Sequence, residues 1–138
     1  MSDENERLVR AFYTSTAPGH REALRGIQSP HVVYDIPRGM PVGCGHFEGL
    51  ENITNGFLAN FYGAFDVRFI AEEFLPAGEH VTAIGKIQGK TRGTGVPIEV
   101  PFVHVWTVTG GYLQQLRAFT DTAILVRALE QSGTNPNP

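Results

Sequence analysis

Four side chains in this sequence have the type and placement to move protons: Tyr13, Asp35, His104 and Asp121. His104 lies inside an alternating run whose even positions are Ile98, Val100, Phe102, His104, Trp106 and Val108. The imidazole therefore shares a strand face with two large aromatic rings. With that face inward, burial disfavours the charged ring. A neutral imidazole there could donate to a carbonyl oxygen or shuttle a proton near neutrality. A buried histidine satisfied by a backbone carbonyl accounts for the same pattern. Asp121 stands where the extended run Tyr112 to Thr120 gives way to a helix. An aspartate in that place is either an N-cap or a general base at the rim of a cavity. Asp35 closes the run VVYDIP, where Val33, Ile36 and the glycines that follow would partly desolvate it. Its pKa would then rise toward the value a proton-abstracting base needs, although strand-end aspartates also start turns. Tyr13 belongs to the apolar stripe of a first helix with Leu8, Val9 and Phe12. It is either core packing or a phenol able to stabilise an oxyanion.

Other chemistries find no support. The glycines of PRGMPVGCGHFEG lack dinucleotide-binding spacing, and no P-loop, His-Glu-x-x-His or Gly-x-Ser-x-Gly pattern occurs. Cys44 and His46 are two apart, but a Cys-x-His pair without further ligands is poor evidence for a metal, and none is expected. Cys44 is the only cysteine, so an intramolecular disulfide is impossible. Arg117 shares strand parity with Phe119 and Asp121, so an Arg117–Asp121 ion pair outside any pocket competes with a base role for Asp121.

The elements that must position these groups are legible from periodicity. A helix is expected over Glu4 to Thr16, stopped by Pro18-Gly19, and a short second one over His20 to Gly26. Ser29-Pro30 breaks the pattern before a short strand from Val32 to Ile36. The segment from Pro37 to Gly49 reads as a loop. Ile53, Phe57, Leu58 and Phe61 give a third helix with one apolar stripe, ended by Gly63. Strands follow over Phe65 to Phe74, Val81 to Gln88, Ile98 to Val108 and Tyr112 to Thr120, and then a helix over Thr122 to Glu130. Helices first and antiparallel strands after make an α+β domain over 1–131, with a disordered tail at 132–138.

With 138 residues, the chain fits one domain that can fold without disulfide or metal. Its net charge of -3, with basic residues scattered, argues against a nucleic-acid or anionic membrane surface. MSDENERLVR has no apolar core of a signal peptide, and no run approaches the roughly 20 apolar residues of a membrane span, so a cytoplasmic location is expected.

The succession of VVYDIP, the glycine-rich loop, FEGLENITNGF and FVHVWTVTGGYLQQLRAFTDTAIL resembles the nuclear transport factor 2-like superfamily. Within it, the chain is most similar to SnoaL-like polyketide cyclases and ketosteroid-isomerase-like proteins, from about Leu8 to Leu129. The resemblance implies a cone, a strongly bent antiparallel sheet wrapped around helices, with an apolar pocket that needs no cofactor. In the isomerases an aspartate near the end of the first strand is the base, and Asp35 matches it. His104 matches their acidic hydrogen-bond donor, with an imidazole in place of a carboxylic acid, and Tyr13 matches a tyrosine of the first helix. In the cyclases the base follows the last strand, as Asp121 does. Phe57, Phe61, Phe102, Trp106 and Ala118 would line the pocket. The implied function is proton abstraction next to a carbonyl of an apolar ring or polyketide-like substrate. Alternatives are a non-catalytic ligand-binding or dimeric module, and epoxide hydrolysis by an Asp–Arg–Asp set, for which the strand face of Arg117 is the wrong one. An outer sheet face bearing Val103, Val105 and Leu113 predicts a homodimer.

Overall fold

The alternation between residues 98 and 108 is a long strand, β5 (Pro97–Thr109), buried at Ile98, Val100, Phe102, His104, Trp106 and Val108. The computed structural model describes residues 2–14 and 26–132. Before β5 come helix α1 (Ser2–Thr14), strands β1 (Gln28–Ile36) and β2 (Gly45–Glu48), a helical segment α2 over 50–64, and strands β3 (Phe65–Ala77) and β4 (His80–Thr91). Strand β6 (Tyr112–Thr120) and helix α3 (Thr122–Gln131) complete the order. Six strands form one sheet in the order β2-β1-β6-β5-β4-β3. Every pairing is antiparallel except β1 with β6, which is parallel, so the sheet is mixed. The expected helix over His20 to Gly26 lies outside the described residues apart from Gly26, and the expected tail lies outside them beyond Ser132.

Strand and turn chemistry explain the connections. Gly110 and Gly111 both have positive φ (62° and 80°), and they close a two-residue hairpin between Thr109 and Tyr112. That turn type needs left-handed backbone at both central residues. Irregularities then bend the sheet. Glu72 is an extra residue of β3 against β4, and Gln114 is an extra residue of β6 against β5. Such bulges kink and twist a strand. The bulge at Gln114 also flips strand parity, so Leu113 joins Leu116 and Ala118 on the buried face. The placement of Leu113 on the outer face is thereby corrected.

Two other expectations change. The Ser29-Pro30 pair does not end extended structure. It falls within a register irregularity between Gln28 and Val33, where proline's missing N–H is tolerated. The loop over 37–49 contains β2, a four-residue edge strand too short to show a period. In α2 the middle turn, Ile53–Leu58, is π-helical, and this segment buries Ile53, Phe57 and Phe61 against the sheet. Helix α1 packs on β3 and β4, while α3 packs on β5 and buries Leu125, Ala128 and Leu129. These three helices bury the inner sheet face.

Candidate functional site

Helix α1 and strand β5 bring three polar side chains together inside the core. Phe12 packs against the Trp106 ring with centroids 4.7 Å apart, which fixes the last turn of α1 over β5. Tyr13, next along the helix, then reaches between His104 and Trp106. The indole N–H of Trp106 donates to Tyr13 Oη at 2.9 Å, and Tyr13 Oη lies 2.5 Å from His104 Nδ1. An indole can only donate, so the phenol oxygen is an acceptor on that side and shares a proton with the imidazole on the other. The His104 ring is stacked on Phe102 at 4.2 Å, with Phe69 at 5.8 Å. A second buried phenol, Tyr34, donates to Gln28 Oε1 at 2.6 Å and meets Trp106 edge-on at 5.8 Å.

Burial sets the charge of this cluster. Desolvation pushes His104 down to about 3, so its ring is neutral at physiological pH. Burial also raises the Tyr13 and Tyr34 phenols well above their ordinary range. Among the described residues, no buried side-chain nitrogen or oxygen lacks a hydrogen-bond partner. The hydrogen bond shown for His104 is that of Nδ1 with Tyr13, and the ring is otherwise enclosed by Phe69 and Phe102. With Nδ1 accepting from Tyr13, the neutral ring carries its hydrogen on Nε2. The alternative of a histidine satisfied by a backbone carbonyl is replaced by one held by a phenol.

The two aspartates are placed differently. In β1, Val32, Tyr34 and Ile36 turn inward and Asp35 turns outward, onto the opposite sheet face from His104. There His46 Nδ1 lies 2.5 Å from Asp35 Oδ1, Gln115 donates to Oδ2 at 3.2 Å, and His46 Nε2 is 3.1 Å from Glu48 Oε1. The hydrogen bond with His46, aided by Gln115, holds Asp35 below the ordinary carboxylate range. The same bond, with Glu48, raises His46. The expectation of a desolvated, raised Asp35 is corrected: its side chain is 39% exposed and has hydrogen-bonding partners. Asp121 is exposed at the N-cap position of α3, and its side chain makes no capping bond. Its strand leads back to Ala118, which pairs with His104 across β5–β6. Arg117 is exposed and pairs in register with Val105 and Asp35, and no ion pair joins it to Asp121 among the described residues.

Phe57, Phe61, Phe102, Trp106 and Ala118 are all buried in the core. A cleft of about 430 Å³ instead opens beside them, between α1 and β3, with Tyr13 and Phe69 in its wall. Another, of about 400 Å³, lies between β2 and α2, lined by His46, Phe47, Glu48, Asn52, Asn55 and Gly56.

A family model for the SnoaL-like domain matches residues 9–115 of the chain. The chain belongs to the SnoaL-like domain family. Solved structures agree on the fold. An NTF2-like protein of unknown function from Burkholderia pseudomallei K96243 is 27% identical, covering 91% of this chain and 96% of its own at a TM-score of 0.79. A candidate SnoaL-like polyketide cyclase from Jannaschia sp. CCS1 is 20% identical, with 92% of each chain covered and a TM-score of 0.79. TerC, co-crystallised with polyporic acid, is 24% identical, covering 92% of this chain and 98% of its own at 0.82. Comparison with curated proteins gives no match.

The buried cluster of this SnoaL-like domain joins a neutral imidazole, a phenol and an indole N–H in an apolar surrounding. A neutral, preorganised donor in a dry site acts on an oxygen that gains negative charge without reorganisation. Two partners in the wider arrangement escaped the sequence reading. Gln28 and Tyr34 pair within β1, six residues apart, which no motif signals. His46 pairs with Asp35 because β2 runs antiparallel to β1 and sets the two opposite each other. Among the described residues, no group of three or more His, Cys, Asp or Glu side chains is placed to hold a metal, and no helix is long and apolar enough to cross a membrane.

Proposed function

We propose that this SnoaL-like protein is a cofactor-free isomerase or cyclase that removes a proton next to a carbonyl of an apolar ring or polyketide-like substrate. One observation carries the reading: a neutral, buried His104 is held at Nδ1 by Tyr13 and through it by Trp106, and Tyr13 lines the cleft between α1 and β3. In this role His104 donates to the substrate oxygen as it becomes an enolate, and Tyr13 fixes the ring. Asp121 is the base, because its carboxylate is not engaged in a capping bond and stands at the end of the strand that pairs with His104. Asp35 is tied to His46 and Gln115 on the other face and is assigned no catalytic role. The co-crystallisation of TerC with polyporic acid supports a small organic ligand for this fold.

Deuterium exchange into cyclic ketones tests the assignment. Asp121→Asn should lower exchange by about a hundredfold or more, the lower end of what a positioned base contributes. Asp35→Asn should leave it within about threefold, an effect under 1 kcal/mol. Full exchange by the Asp121→Asn protein removes the proposed mechanism.

A second reading is favoured by a separate observation. The buried polar groups around His104 are Tyr13, Tyr34, Gln28 and Trp106, and none is a carboxylate. A ligand-binding module without chemistry fits such a lining, and saturable binding with no exchange in any variant would select it. Epoxide hydrolysis loses support because Arg117 is on the outer face.

A further inference from the structure

The cleft between α1 and β3 carries charge that the proton chemistry above does not use. Its apolar wall is Phe69, Ile70, Ala71 and Phe74, and its lining also includes two basic residues, Arg10 and the exposed Arg68. Among the described residues lining it there is no carboxylate. Arg10 is held in place from two sides. Its Nε donates to Glu6 Oε2 at 2.8 Å, and its guanidinium carbon sits 4.3 Å from the centre of the Phe74 ring. A guanidinium has five N–H donors in a fixed fork, so the Glu6 bond at Nε engages only one of them.

Arg68 has no acidic partner among the described residues. Its cross-strand neighbour is Gln88, and Gln88 and Lys86 both engage Glu99. Asp66, two residues earlier, pairs in register with Lys90. Glu72 and Glu73 lie at and past the bulge and do not line the cleft. The cleft volume of about 430 Å³ is within the range of small-molecule sites.

We propose that this cleft selects an aromatic acid, with its anionic group between Arg10 and Arg68 and its ring on Phe69 and Phe74. The inference deepens the pocket reading above by naming the ligand class, since Tyr13 lines the cleft and Phe69 packs against the His104 ring. Arg–carboxylate contacts are charge-assisted and can be bidentate, which gives geometric choice as well as attraction. A neutral analogue of the same shape keeps the ring contacts and loses that attraction.

Isothermal titration calorimetry with a naphthalene carboxylate and the matching neutral carboxamide tests the proposal. The wild-type protein should bind the acid at least about tenfold more tightly, a difference of about 1.4 kcal/mol. The preference should shrink between about 50 mM and about 500 mM sodium chloride, as screening requires. Arg68→Gln should remove most of it, and Arg10→Gln with Arg68→Gln should make the two ligands equal. Arg68→Gln leaves α1 and its Glu6 and Phe74 contacts untouched, so it reads the charge alone. Equal affinity in the wild type, a preference that survives both substitutions, or no binding of either compound at millimolar concentration overturns the proposal. Selectivity for the acid without any proton exchange would end the catalytic reading and leave this one standing. Exchange with acid and carboxamide bound alike would do the reverse.

Discussion

His104 governs the response of this protein to pH, because it is the buried titrating group whose change falls nearest neutrality. Its folded pKa is down to about 3 while an unfolded histidine titrates near 6.5. Between those values the unfolded chain binds a proton that the folded chain refuses. Stability is therefore complete above about pH 6.5 and falls with acid toward pH 3, at about 1.4 kcal/mol per pH unit. The outer cluster has other windows. His46 is raised by Asp35 and Glu48, so its contribution is full below about 6.5 and is lost as pH rises through its higher folded value. Asp35 is lowered, so its contribution is full above about 4 and is lost as pH falls through its lower folded value. Both side chains are more than one-third exposed, and exposed pairs contribute little. The buried imidazole wins. Urea unfolding should show a loss of about 2 kcal/mol between pH 7 and pH 5, and His104→Gln should flatten most of that loss. An equally steep acid limb in the variant would show that another group controls it.

Strand geometry decides which of these residues meet. Gly85 on β4 faces the backbone of β3, and a Cβ there would lie 1.9 Å from the Ile70 carbonyl oxygen and 2.8 Å from Ala71 Cα. Backbone cannot swing aside as a side-chain tip can, so Gly85→Ala should destabilise by about 1–3 kcal/mol or more, the cost of overpacking. At Gly63, near the end of α2, an added methyl would meet nothing within 4 Å, and the backbone φ is not positive. Gly63→Ala should stabilise by about 0.4–1 kcal/mol by narrowing the unfolded ensemble. Urea midpoints of the two variants should move in opposite directions, and a shared direction would refute the account of β3–β4 packing. Strand patterns also mark what is legible in the sequence and what is not. The period-two pattern of β5 places His104 and Trp106 on the buried face, and the twin glycines mark the hairpin. The alternation of Val32, Tyr34 and Ile36 also carries the outward direction of Asp35, against the role that the resemblance to isomerases implies for it. The bulge at Gln114, the parallel β1–β6 pairing and the four-residue β2 depend on long-range partners, and local periodicity carries no record of them. Tyr13 and His104 are 91 positions apart, and their meeting follows only from α1 packing across the sheet.

At the scale of the molecule, the described helices bury one sheet face, and the other carries half-buried and exposed apolar side chains. Cross-strand register sets Ile84, Val103 and Phe119 side by side on that outer face, with Val105 in the next row. Phe119 is 53% exposed, although a phenylalanine is costly to leave in water, and it belongs to this apolar row. The face is edged by Lys86, Glu99 and Arg117, a polar margin of the kind that surrounds the apolar centre of an interface. We infer that two copies pair across it, about a two-fold axis, because a single apolar patch is self-complementary in that symmetry. A stable pair needs roughly 800 Å² from each partner, which requires the adjoining rows around Thr82 and Val105 as well as the central three residues. Phe119→Asp should then convert a dimer to a monomer in sedimentation velocity at tens of micromolar. Its effect on the unfolding of the monomer should remain within about 0.5 kcal/mol, since the side chain supports no core contact that the substitution would break. A wild-type protein that sediments as a monomer at high micromolar concentration would show that the exposed row serves a different partner or none.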